Sequence, residues 1–240
     1  HVGFRFEFDQ ENVWNRSDQV NFYRLGVPVA FLFDGFHPLA QVGLLYSNEA
    51  CRGGDWSVRE ITRSLLDAGI TCGFIVQGDE WLVHESTAAA LEPFETIVIP
   101  SLNPPDYSQT PLIQSRLETG QAVVWDGVES LKASITPWIA REGPGRLWTL
   151  PRTRDDGSES PLVIHLLNQD YDPTTDSMVA NTGSIVSIRH ELTGGRVPKR
   201  IVLHAPGHEP NALKVTSANG VSSVRLPGIE LWAILQVQVR

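Results

Sequence analysis

A doubly wound parallel α/β sheet followed by an antiparallel β-sandwich is the fold that this 240-residue sequence predicts, and three observations predict it. Short apolar runs alternate with helix-patterned stretches before Pro151, and those stretches carry recognisable end signals. Beyond Trp148, strand phrases and turns follow one another with little helical periodicity. The length suits one large or two modest domains. The break places three parts: residues 1–40, an N-terminal strand and helical segment; 41–150, the α/β domain; and 151–240, the β-sandwich domain.

The elements follow in order. Val2, Phe4, Phe6 and Phe8 alternate with Arg5, Glu7 and Asp9, the period of a half-buried strand. In residues 18–38 an apolar stretch is interrupted by Gly26 and Pro28, which predicts two short helical pieces. VGLLYS at 42–47 reads as a strand, Ser57-Val-Arg-Glu60 as a capping box opening a helix, and Gly69 as its left-handed stop before the strand ITCGFIV. That is a βαβ unit. A weaker helix is expected over His84–Leu91, then a doubly buried strand in ETIVIP. Thr110 and Pro111 open the next helix, Gly120 ends it, and AVVWDG is the following strand. This repeated alternation makes the first domain flavodoxin-like, with right-handed crossovers. Six further phrases, from PLVIHLLNQDYDP to IELWAILQVQV, read as antiparallel strands, one pair joined by the Asn219-Gly220 turn.

Composition excludes several classes of function. Nineteen basic and 28 acidic residues leave a net charge of -9, which repels phosphate backbones and argues against nucleic acid. No apolar run approaches the length of a bilayer span, so a soluble chain in no fixed compartment is expected. Cys51 and Cys72 are too few for a disulfide framework. Because the chain begins at His1 and its single methionine is Met178, its N-terminus is not expected to be a translation start, and the chain is expected to have been trimmed, processed or excerpted.

Each candidate for chemistry has a plainer alternative. The loop SNEACRGGD lacks both GxGxxG and GxxxxGK[ST], so nucleotide cofactors are not expected; Arg52-Gly53-Gly54 could hold an anion but reads better as an ordinary loop. Cys72 lies inside a strand as a small apolar side chain, and Cys51 lacks the glycine-flanked elbow of a nucleophile. The histidines are scattered, and the closest pair, His204 and His208, flanks a Pro-Gly turn, so no metal is expected. Asp34, Asp79, Glu80, Asp126 and Glu129 stand near strand ends, where turn roles are commoner than paired-carboxylate chemistry. Of seven tryptophans, Trp125 and Trp232 are expected in the core. Trp56 and Trp81, in acidic loops, are the candidate carbohydrate contacts. No catalytic residue is assigned.

The phrases FLFDGFHPLAQVGLLYS, LLDAGITCGFIV, LEPFETIVIPSL and LETGQAVVWDG resemble the amidotransferase-like domain that follows the catalytic barrel in some glycoside hydrolases, the β-galactosidase trimerisation domain being the nearest analogue. PLVIHLLNQDYDP, RIVLHAP and LPGIELWAILQV resemble the small β-sandwich appended to such enzymes, including dextranase-like ones. Together the resemblance covers about residues 29–240. It implies a non-catalytic C-terminal portion acting in oligomer assembly and active-site shaping. Its partners would be the catalytic barrel of the same or parent polypeptide, further copies in a homo-oligomer, and a carbohydrate substrate. The strand at Val2–Phe8 would then be a remnant of the barrel. The alternatives are a stand-alone cysteine hydrolase or amidotransferase relative working through Cys51, and a sugar-binding module using Trp56 and Trp81.

Overall fold

The computed structural model describes residues 36–84, 86–101, 111–154 and 159–239. The chain divides into His1–Phe36 and His37–Arg240, and the described fold belongs almost entirely to the second unit. The strand expected at Val2–Phe8, the Thr110 cap and all but the end of the helical stretch expected over 18–38 lie outside the described residues; at that end His37–Pro38 form a strand, not helix.

A two-residue strand, β1 (His37–Pro38), leads into a parallel sheet of β2 (Val42–Ser47), β3 (Cys72–Gln77), β4 (Thr96–Ile99) and β5 (Ala122–Val124). Their spatial order is β3-β2-β4-β5, the flavodoxin-like winding that the alternation predicts. Helices α1 (Asn48–Arg52), α2 (Ser57–Asp67), α3 (Ala88–Leu91), α4 (Pro111–Glu118) and α5 (Val128–Lys132) link the strands and flank the sheet. Alternate strand residues face opposite ways, so the sheet supplies two cores. Val42, Leu44 and Val98 pack with Ile61 and Leu65 of α2 and Leu131 of α5. Leu45, Ile75, Ile97 and Ile99 pack with Leu91 of α3 and Ile113 of α4. Burial on both sides explains the continuous apolar runs.

The antiparallel part contains β6 (Ile139–Glu142), β7 (Leu147–Thr153), β8 (Leu162–Asn168), β9 (Tyr171–Asp172), β10 (Ser177–Met178), β11 (Ile185–Arg189), β12 (Pro198–His204), β13 (Asn211–Leu213), β14 (Val215–Ala218), β15 (Val221–Arg225) and β16 (Trp232–Val239). One sheet runs β1-β7-β8-β16-β12-β13 and the other β14-β15-β11-β6, with β9 and β10 forming a separate hairpin. Leu162, Ile164, Leu166, Leu235 and Val237 of the first meet Val186, Ile188 and Val224 of the second in one core, which makes the pair a sandwich. Asn219 and Gly220 both have positive φ, and they close the β14–β15 hairpin with Ala218 opposite Val221, as a type I′ turn requires.

Several local expectations change. Pro151 stands inside β7 and does not separate the layers, because antiparallel pairing already begins at Ile139 and reaches back to β1. Its carbonyl accepts from Leu39 N, so its missing N–H faces the short edge strand and not the ladder with β8. The capping box at Ser57 is displaced: Asp55 Oδ1 accepts from Ser57 N at 2.9 Å, and Trp56 occupies the cap position without a side-chain bond. The helix expected at His84–Leu91 shrinks to α3, since Gly78 N donates to His84 O and ties the preceding residues into a turn. Trp232 is 40% exposed, because the alternation of β16 turns Ala233, Leu235 and Val237 inward and leaves residue 232 on the outer face.

Candidate functional site

Two surface features beside β3 place the sequence candidates, and both arise because β3 is an edge strand. The first is the turn that follows it. Asp79 N donates to Leu82 O, while Asp79 Oδ1 accepts from Trp81 N and Leu82 N at 2.9 and 2.8 Å, an Asx-type turn. Asn48 donates to both carboxylate oxygens at 3.0 Å, and Arg52 Nη1 donates to Oδ2 at 2.8 Å. Hydrogen bonding, first from Leu82 N and then from Arg52, Asn48 and Trp81, holds the Asp79 carboxyl well below the usual carboxylate range. Gly78 has to be glycine here, since a Cβ would lie 1.9 Å from Leu82 O. The Arg52 guanidinium lies 5.0 Å from the Trp81 ring centroid, and Trp81 Nε1 donates to Glu80. The turn therefore holds Trp81, 73% exposed, and Val83, 91% exposed, in a fixed projection.

The second feature is an open cleft of about 770 Å³ between β3, the outer side of α2 and the start of the sandwich. Tyr46, Trp56, Phe74 and Trp148 give it aromatic walls, with Arg59, Glu60 and Arg63 of α2 and Gln169 of the sandwich also in its lining. Tyr46 and Phe74 meet edge to face at 6.5 Å. Among the described residues no helix covers the outer part of β3 on this face, and Phe74 is 55% exposed. Trp148 is fixed by its Nε1 bond to Asp67 Oδ1 at 2.7 Å, and Asp67 also receives a two-nitrogen fork from Arg146.

The structure thus separates the two tryptophans singled out from sequence: Trp56 lines the cleft, and Trp81 caps Arg52 outside its lining. Phe74, Tyr46 and Trp148 were missed. Phe74 sits in a continuous apolar strand phrase, and nothing local distinguishes an edge strand from a central one.

Of the other candidates, Asp34 lies outside the described residues, and several of the rest are committed elsewhere. Cys51 is buried in α1 and its thiol meets Tyr46, whose hydroxyl is raised in pKa by burial and by that contact. The Cys72 thiol is pushed up to about 11 by burial, so at neutral pH it is a protonated packing group. Arg52 is neutralised by Asp79, which removes it as an anion holder. Glu129 pairs with Lys132. Asp79 and Asp126 follow opposite edge strands, which are themselves three strand spacings, about 14 Å, apart. A glycosidase pair stands within about 10 Å. One serine does meet a histidine: His190 Nε2 lies 2.9 Å from Ser222 Oγ, which also meets Ser217 Oγ at 2.7 Å. Ser222 is fully buried in the sandwich, however, so a substrate carbonyl has no approach to it. Among the described residues no group of three or more His, Cys, Asp or Glu side chains is placed to hold a metal ion. Among them, too, no helix is long and apolar enough to cross a membrane.

No family model matches the chain, and no curated protein matches its sequence. Among solved structures, α-L-fucosidase isoenzyme 2 from Paenibacillus thiaminolyticus is similar with a TM-score of 0.57 and 10% identity, over 85% of this chain and 49% of that one. A rhamnosidase from Novosphingobium sp. PP1Y gives a TM-score of 0.46 and 14% identity, over 85% of this chain and 23% of the other. This chain therefore spans about half the length of the fucosidase. At 10% identity, what the two share is the fold.

Proposed function

We propose that this chain is a non-catalytic, C-terminal portion of a carbohydrate-active glycoside hydrolase, acting in oligomer assembly and in shaping an active site carried by a barrel elsewhere in the polypeptide. The observation that carries this reading is the fold likeness to part of the α-L-fucosidase chain, over 85% of the present one. Two physical features support it. The described residues bury their apolar faces in three cores, as a supporting module must. The turn after β3 also offers Trp81, Leu82 and Val83 to another surface on a rigid frame.

The test compares the parent polypeptide with a form lacking residues 41–240. Light scattering of the intact protein should report an oligomer and the deletion a smaller species, with turnover of p-nitrophenyl α-L-fucoside strongly reduced. A monomeric parent whose turnover survives the deletion overturns the reading.

A further inference from the structure

The geometry points to the cleft between β3, α2 and the sandwich as a binding site for an acidic oligosaccharide, one whose sugar units carry carboxylates. The class of ligand rests on the carbohydrate-active reading above; the site and its charge preference rest on the cleft itself.

Three properties of the cleft argue for it. Its aromatic faces are of the kind that sugar rings stack on: Trp56 is 60% exposed, Phe74 is 55% exposed, and Trp148 is held by Asp67. Next, the polar groups at the cleft are uncommitted. Among the described residues no hydrogen bond or ion pair engages the Arg59 or Arg63 guanidinium, the Trp56 indole N–H or the Gln169 carboxamide. A largely apolar cleft with a few convergent donors has the composition of a ligand site.

The charge is the third property. Arg59 and Arg63 are four residues apart on one side of α2, where like charges weaken a helix slightly. The chain has a net charge of -9 and could readily supply acidic partners, as Asp79 does for Arg52 and Asp67 for Arg146. Two unpaired forks beside aromatic faces, set against the single carboxylate of Glu60, leave the lining net positive on an otherwise acidic protein and complementary to a carboxylate on a stacked ring. A neutral sugar would stack equally well but would leave both guanidinium groups unused.

The experiment is a fluorescence titration of the full chain with tetragalacturonate, a glucuronate-bearing xylan fragment and oligomannuronate, set against cellotetraose. Saturable binding of at least one acidic probe is expected, weakened by added salt. Trp56→Ala should abolish it, and Arg63→Gln should weaken it about tenfold. Arg116→Gln, on the opposite face of the sheet, should leave it unchanged. Two results overturn the inference: no response to any acidic probe, or equal binding of cellotetraose unaffected by Arg63→Gln. Neither outcome bears on the deletion test of the parent enzyme, so the two proposals fail separately.

Discussion

Asp79 illustrates how one side chain sets a surface. It accepts hydrogen bonds from two backbone amides and two side chains, and all of them favour its ionised form. Its folded pKa therefore lies below the unfolded value of about 3.9, so its contribution is complete above about pH 4 and fades as the pH falls further. Acidification from neutral pH to about pH 3 should begin to loosen the turn and increase acrylamide quenching of tryptophan, a change that Trp81→Phe suppresses. Asp79→Ala should show the loosened behaviour already at neutral pH; quenching that is identical in both proteins would refute this. At the same scale, sequence reading singled out Trp56 and Trp81 as candidate contacts, and both are exposed, but it could not distinguish their settings. That distinction depends on Arg52, which is 29 positions from Trp81 in the chain and 5.0 Å from its ring.

Single elements were legible where their signals are local. VGLLYS is β2 as read, Gly69 adopts φ +74, and the bonds Gly69 N to Leu66 O and Ile70 N to Leu65 O complete the helix stop expected there. Gly120 does the same for α4, with φ +73. The start of α2 was misplaced because Asp55 and Ser57 both carry capping chemistry two residues apart, and only the folded backbone chooses between them. Gly43 had no evident role in sequence, yet it sits in the central strand under a rigid ring. A Cβ there would lie 2.5 Å from Ile75 Cδ1 and 2.7 Å from Phe94 Cδ2. Ile75 can change rotamer, whereas Phe94 is wedged against the sheet. Gly43→Ala should therefore cost about 1–3 kcal/mol, read as a lower midpoint in urea with an unchanged slope. An unaltered midpoint would show that Phe94 moves freely.

At the scale of the molecule, the α/β part and the sandwich are joined by polar contacts as well as by chain. Asp67, at the end of α2, binds Arg146 at 2.7 Å and Trp148 at 2.7 Å, both at the start of the sandwich. On the other side Gln41 donates to Glu95 and to Thr136 O, and Trp138 Nε1 donates to Glu95 as well. The Arg146–Asp67 pair is more than a third exposed, so water screens it and Asp67→Ala should cost only about 1 kcal/mol or less. Its local effect should be larger, with faster amide exchange in α2 and at the start of β7; unchanged exchange there would refute the joint. Hydrophobic period, glycine stops and turn dipeptides act over a few residues, and by themselves they determined that a parallel α/β sheet and antiparallel strands are present. Tertiary structure alone decided that β3 is an edge, that Pro151 lies within a strand, and that Trp56 shares a cleft with Phe74 and Trp148. Those outcomes depend on which distant segments pack together, and the energies that select a partner are sums over a whole core that no short window of sequence contains.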